Sequence, residues 1–297
     1  MLTLKHYELL TVLAQELHFG RAAQRLGISQ PMLTQQLKQM EDIVGTLLFD
    51  RNRRRVSVTA AGELILPEAR AVVRQARRAE DVALRAGRGG LGELRIGYIG
   101  AIAYNGVLTR LLSHFRPLAT QIDLHLTLMD LDRQFPEVAA GNLDAGLVRL
   151  PFPDIPDGVE ARILHYEDLW ITLPEDHPFA AEAEIDLAKF DRADFISTHL
   201  PTNSGFSAAA HSAWAQVGVT PHIVHRAPQF ASIISLVAAG LGVAIVPECM
   251  QRVHLPGVVY RPLRDVTVKA PIALIYRRDR ESPPLELLLK SLNFAPI

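Results

Sequence analysis

The spacing of hydrophobic residues changes character about 90 residues into the chain. Up to there, apolar side chains recur at steps of three and four, which lays them along one face of a helix; beyond it, short apolar runs of strand length alternate with helical segments. In the first part, Leu33, Leu37, Met40 and Val44 form one such stripe and predict a helix with a buried face. Ahead of it, Ala22, Ala23 and Leu26 predict a short helix whose small side chains allow close crossing, ended by Gly27. Ser29 is placed to cap the next helix, with Pro31 in its first turn, where a missing N–H costs nothing. Downstream, Leu47, Leu48 and Phe49 and the alternating Val56, Ser57 and Val58 flank a basic stretch and predict a two-stranded ribbon. Residues 18–62 therefore read as a winged helix-turn-helix, a DNA-binding arrangement.

The face opposite the stripe supports that reading. At 100° per residue, Pro31, Thr34, Gln35 and Lys38 point outward, with Gln30 near the helix start and Gln39 at the edge. Glutamine can both donate to and accept from an adenine edge, threonine offers a hydroxyl and a methyl, and lysine reaches phosphate or guanine. Such a face suits base reading, with Ser29 beside it at the turn. Arg51, Arg53, Arg54 and Arg55 crowd the ribbon, where guanidinium groups can press on the DNA backbone or enter a minor groove.

After Thr59, a good capping residue, a helix of about 40 Å is expected from Ala60 to Ala86, with a kink or stagger at Pro67. Ile65, Ala69, Val72, Ala76, Ala79, Ala83 and Ala86 alternate spacings of four and three. That is a heptad seam, expected to pair two chains so that two winged helices read two half-sites.

Charge sharpens the division. The 297-residue chain carries a net charge of −1, but residues 1–90 hold 14 Lys and Arg against 9 Asp and Glu, while the remainder holds 17 against 23. The basic part coincides with the DNA-binding motif. Cys249 is the single cysteine, so no internal disulfide can form; the start shows no charged-then-apolar leader, and no apolar run reaches membrane-spanning length. A cytoplasmic protein with no membrane partner is expected.

From Leu91, strand-like runs such as LRIGYIG, IDLHLTLM and DAGLVRL alternate with helical ones, and a second set follows from DLWITLP to VAIVPECM. This predicts parallel α/β sheets in two lobes joined by crossing strands, with a ligand cleft at the strand C-termini. The expected divisions are a winged helix-turn-helix over 1–59, a linker and dimerisation helix over 60–88, and an effector-binding domain over 91–297. Within the last, lobe I comprises 91–162 and 267–297, and lobe II comprises 163–266.

The segments HFGRAAQRLGISQPMLTQQLKQME, LLFDRNRRRVSVTAAG and LVAAGLGVAIVP, in this order and spacing, resemble the LysR-type transcriptional regulators from end to end. The resemblance implies an all-α winged helix-turn-helix head with a long linker helix, followed by a two-lobe α/β domain similar to type 2 periplasmic binding proteins. It further implies a homodimer or homotetramer that binds an interrupted inverted repeat in double-stranded DNA, meets a small-molecule effector, and contacts RNA polymerase. The segments IGYIGAIAYNG and AGNLDAGLVRLP resemble the branch controlling aromatic and carboxylate catabolism. Carried over from that branch, the effector pocket comprises Gly100, Ala101, Ile102, Ala103, Leu131, Arg149, Ser204, Phe206, Pro228 and Phe230. Where the branch has hydroxyl residues, this chain has Ala101 and Leu131, which favours a more apolar ligand body. Arg149, at a strand end, can fork onto a carboxylate, helped by N–H groups of a helix starting after Gly100; its alternative role is an ion pair with Asp130 or Asp132.

Enzyme chemistry has no carrier. GYIGAIAYNG breaks the G-x-G-x-x-G spacing, and neither a G-K-[ST] loop nor a G-x-S-x-G elbow occurs. His222 and His225, three apart in an extended segment, are expected on opposite faces and so make no joint metal site. No cofactor and no metal are expected. The alternative from another class is a small-molecule binding module with a vestigial DNA head.

Overall fold

The computed structural model describes residues 1–52, 55–86, 92–279 and 282–292. The chain divides into two compact units, Met1–Gly90 and Leu91–Ile297.

The first unit contains α1 (Leu4–Glu16), α2 (Phe19–Leu26), α3 (Gln30–Val44), the ribbon strands β1 (Phe49–Asn52) and β2 (Arg55–Val58), and α4 (Ala60–Ala86). His18 caps α2 by accepting the Arg21 N–H at 3.2 Å. Gly27 closes it at φ +66°, a conformation that strains any residue with a Cβ. Ser29 caps α3 by accepting the Met32 N–H at 3.4 Å. Leu33, Leu37 and Met40 are fully buried against Leu9, Leu10, Leu13, Ala22 and Ala23. Val44, expected in the same stripe, is 38% exposed. It is the last residue of α3, and the core below that end is filled by Leu48 and Phe49 instead. Buried Glu41 draws them in, since its carboxylate accepts their N–H groups at 2.9 and 3.3 Å.

Thr59 starts α4, accepting the Gly62 N–H at 3.0 Å and donating to the Leu47 carbonyl at 2.8 Å. The helix continues through Pro67. The seam expected along it is divided in two. Ala69 is buried and Ile65 packs against the head core beside Leu66, so these positions are used within the chain, whereas Val72, Ala79 and Ala83 are exposed.

The second unit comprises β3 (Gly92–Tyr98), α5 (Val107–Phe115), β4 (Ile122–Leu128), α6 (Leu131–Ala139), β5 (Ala145–Arg149), β6 (Val159–Pro174), β7 (Ile185–Asp186), β8 (Asp194–Thr198), α7 (Gly205–Gln216), β9 (His222–Ala227), α8 (Phe230–Ala238), β10 (Ala244–Pro247), β11 (Val258–Arg264), β12 (Lys269–Arg277) and α9 (Pro283–Ser291). The main sheet has the order β4-β3-β5-β12-β6-β11-β7, with β10 also on β6. Strands β3, β4 and β5 are parallel, as are β8 and β9. The sheet is nevertheless mixed, which corrects the expectation of parallel sheets: β12 is antiparallel to β5 and β6, and β6 to β10 and β11. The reason is the connection itself. The chain leaves one lobe along β6 and returns along β12, so these two must run in opposite directions.

Residues 159–168 of β6 pair with β12, while residues 169–174 pair with β10 and β11. One lobe packs Leu94, Ile96, Phe115, Leu147, Leu274 and Leu288; the other packs Ile171, Phe195, Phe206, Trp214 and Ile245. The first half of β6 and all of β11 were not legible as strands, because VEARILHYE mixes charge with apolar residues and VVYRPLR contains a proline.

Candidate nucleic-acid interface and effector cleft

In the first unit, burial of Leu33, Leu37 and Met40 fixes the outward face of α3. Gln30, Pro31, Gln35 and Lys38 are exposed on it, with Ser29 at its start. Thr34 is half-buried, and its hydroxyl donates to the Gln30 carbonyl at 3.0 Å, leaving the methyl and the oxygen lone pairs to meet a partner. The ribbon pairs Phe49 with Val58 and Arg51 with Val56. Arg53 and Arg54 lie outside the described residues, as do the side chains of Arg51 and Arg55.

In the second unit, Gly100, Ala101, Leu131, Arg149, Phe206, Pro228 and Phe230 line a single cleft, joined by Asp130, Thr198, His199 and Gln229. It encloses about 50 Å³, little more than one or two waters need. Its mouth is bridged by Gln229, whose Nε2 donates to Asp130 Oδ1 at 3.4 Å. Gly100 makes the bridge possible: a Cβ there would come within 2.6 Å of Gln229 Oε1. Phe206 and Phe230 form an edge-to-face wall with centroids 5.0 Å apart, and the Arg149 guanidinium stands 5.2 Å from the Phe206 ring centre.

Arg149 does not pair with Asp130 or Asp132. Its Nη2 donates to Glu167 Oε2 in a buried ion pair. The register explains the encounter: Arg149 on β5 lies opposite Ile272 of β12, and Glu167 on β6 lies opposite Ala270. Ile272 and Ala270 are two residues apart on β12 and so share a face, which brings their partners together across it. Arg149 Nε and Thr198 Oγ1 remain buried without a hydrogen bond among the described residues.

Three residues of the expected pocket lie elsewhere. Ile102 is in the core against α5, Ala103 is exposed, and Ser204 is buried just before α7. The segment after Gly100 is a four-residue 3-10 turn, Gly100–Ala103, and α5 begins at Val107. The expected helix N-terminus is therefore absent there. Glu167 and Thr198 were missed, since each reaches the cleft region through strand pairing with no motif to mark it.

Cys249 is buried, its thiol donating to the Ala101 carbonyl at 3.6 Å; burial and the nearby Glu167 carboxylate push its pKa well up. His222 and His225 are both exposed, across a register slip between β8 and β9, and His222 Nδ1 meets Asp194 Oδ1 at 2.8 Å. Among the described residues, no group of three or more His, Cys, Asp and Glu could hold a metal, and no helix is long and apolar enough to cross a membrane.

Residues 4–63 match the family of bacterial regulatory helix-turn-helix proteins of the lysR type, and residues 87–294 match the LysR substrate binding domain. The Hca operon transcriptional activator HcaR of Escherichia coli is 34% identical over 285 residues, covering 95% of this chain and 94% of the relative. The HTH-type transcriptional regulator AlsR of Bacillus subtilis is 30% identical over 296 residues, 94% of this chain and 92% of the relative. Full-length CbnR, solved in complex with its target DNA, superposes with a TM-score of 0.79 at 25% identity, covering 99% of both chains.

Proposed function

The chain belongs to the LysR family of bacterial regulatory helix-turn-helix proteins, and from that premise we propose how its residues divide the work. It is a DNA-binding transcriptional regulator with a small-molecule effector domain, not an enzyme. Gln30, Thr34 and Gln35 read base edges, while Lys38 and Arg51, Arg53, Arg54 and Arg55 hold phosphate or minor groove. The observation that supports this is the exposure of an amide-rich, nearly uncharged face on a helix whose other face is buried. The target is an interrupted inverted repeat bound by a homodimer or homotetramer in the cytoplasm, with RNA polymerase as the downstream partner.

The effector is a flat, largely apolar molecule bearing one carboxylate or other acceptor group. It lies on Phe206 and Phe230, with Arg149 Nε and the Thr198 hydroxyl as donors. Glu167 already neutralises Arg149, so the cleft supplies hydrogen bonds more than net positive charge, and among the described residues no second buried cation lines it to hold a second carboxylate. A cleft of about 50 Å³ must widen to admit such a ligand.

Two measurements test the reading. In mobility shifts on the cognate operator and on random DNA, Gln35→Ala should cost about 1–3 kcal/mol at the operator and relax one base pair, whereas Lys38→Ala should weaken both DNAs alike and lower the salt slope by about 1. Proportional losses for both variants would overturn the assignment. In thermal shifts, benzoate and salicylate should stabilise the full chain and succinate should not; at ~100 times Kd the gain is about 2.7 kcal/mol. Equal stabilisation by succinate would exclude the aromatic monocarboxylate class.

A further inference from the structure

In the 3-10 turn Gly100–Ala103, two consecutive side chains are buried in the cores of different lobes. Ile102, fully buried, packs with Leu94, Ile96, Val107 and Leu147 in the lobe that holds β3, β4 and β5. Ala101, 6% exposed, packs with Ile196, Ala227, Ile233, Val237 and Cys249, all from the lobe that holds β8, β9 and β10. One peptide bond links the two, so the lobes cannot separate here unless the turn leaves one of the cores.

The two attachments are unequal. On the Ala101 side lies a single methyl group with two hydrogen bonds. The Cys249 thiol donates to the Ala101 carbonyl at 3.6 Å, and Arg252 Nη1 donates to the Tyr104 carbonyl at 2.6 Å. Both donors belong to the 3-10 turn Glu248–Arg252 that follows β10. Sulfur is a weak donor, and Arg252 is exposed to water. On the other side, a whole isoleucine is buried, and the main chain is tied down as well, since the Ile99 N–H donates to the Leu147 carbonyl of β5 at 3.2 Å. The same turn is a wall of the effector cleft. Gly100 and Ala101 line it together with Thr198, Pro228, Gln229 and Phe230 of the other lobe.

We propose that the Glu248–Arg252 turn is a latch on the effector cleft: an effector that widens the cleft draws Ala101 out of the second lobe and breaks the Cys249 and Arg252 contacts. The inference rests on reading this cleft as the effector site. Because the Ile102 attachment is the stronger, the turn travels with the first lobe. The latch opposes entry, so the apparent affinity for effector is reduced by the fraction of molecules in which it is undone. Unlatching also uncovers the thiol of Cys249, the single cysteine of the chain.

Iodoacetamide labelling of the full chain reads the latch directly, because a buried thiol reacts only through opening. Arg252→Met removes the bond to Tyr104 from an exposed side chain. It should speed native Cys249 labelling about three- to tenfold, the size of one hydrogen bond, with a nearly unchanged urea midpoint. Arg110→Met, which removes another exposed arginine from α5, should label at the parent's rate. In calorimetric titration, benzoate and salicylate should bind Arg252→Met more tightly than the parent by about the same factor. At saturation, each should speed labelling of the parent, where a ligand that left the latch fastened would protect the thiol. The proposal is overturned if Arg252→Met labels at the parent's rate, if Arg110→Met labels as fast as Arg252→Met, if Arg252→Met binds no more tightly, or if a bound ligand slows labelling. If neither carboxylate binds either protein, the aromatic monocarboxylate reading falls, and the labelling rates of the two variants still decide the latch.

Discussion

Glu167 holds Arg149: the two side chains, 2% and 1% exposed, meet across β12 as a buried ion pair, with Arg149 in the lining of the cleft beside Phe206. The cation that would grip an anion is thus already half spent. Removing one partner leaves the other charged and buried, which costs far more than removing both. Arg149→Met should therefore destabilise the protein by about 3–5 kcal/mol, and Arg149→Met with Glu167→Met should recover most of it. Urea denaturation of the four proteins of this cycle decides the matter. A double variant as unstable as the single one would mean that Glu167 is not the partner that matters.

The Gln229–Asp130 bridge is long, and Asp130 sits at the exposed mouth, so it should contribute little to global stability. Its consequence is local. Gln229→Ala should shift the melting temperature only slightly while raising hydrogen exchange at Gly100–Ala103 and around Phe230. Unchanged exchange there would show that the bridge does not hold the cleft shut.

Along α4, the seam has two different jobs. Ala69→Glu puts a charge into the head core and should unfold the first unit, whereas Ala79→Glu lies on the exposed stretch and should leave the fold intact. If that stretch pairs two chains, Ala79→Glu should lower dimerisation and operator binding together, as measured by sedimentation and mobility shift. A stable, full-strength Ala79→Glu dimer would move the interface off this helix.

Cys249 and Tyr260 make the second unit sensitive to alkali. Burial raises the Cys249 thiol, and burial pushes Tyr260, whose hydroxyl donates to the Val253 carbonyl at 2.8 Å, up to about 12. A group with a raised folded-state pKa keeps its full stability contribution below its unfolded value, about 8.5 for cysteine and 10 for tyrosine. Above those values the unfolded state loses the proton first, so stability should fall as pH rises from about 8.5 toward 12. Cys249→Ala should flatten the lower part of that decline. At neutral pH, iodoacetamide should label Cys249 in the unfolded chain and not in the native one. Rapid native labelling would show the thiol is accessible.

The outward polar face of α3, the caps at Ser29 and Thr59 and the span of α4 could be read from the sequence because each is local. Helix periodicity, a capping hydroxyl and a turn glycine act within a few residues, so their spacing carries the information. Val44 is the exception that shows the limit: whether a helix end is buried depends on what packs beneath it, here Leu48 and Phe49 tethered by Glu41. In the second unit, the motifs around Gly100, Leu131, Arg149 and Phe206 marked the neighbourhood of a cleft. They could not show that Arg149 faces Glu167, 18 positions away, or that Gln229 reaches back to Asp130 over 99 positions. Those pairings follow from the register of β5 and β6 on β12 and from the approach of two lobes. Both are properties of strands and loops distant in the chain, which hydrophobic patterning leaves undetermined and tertiary packing decides.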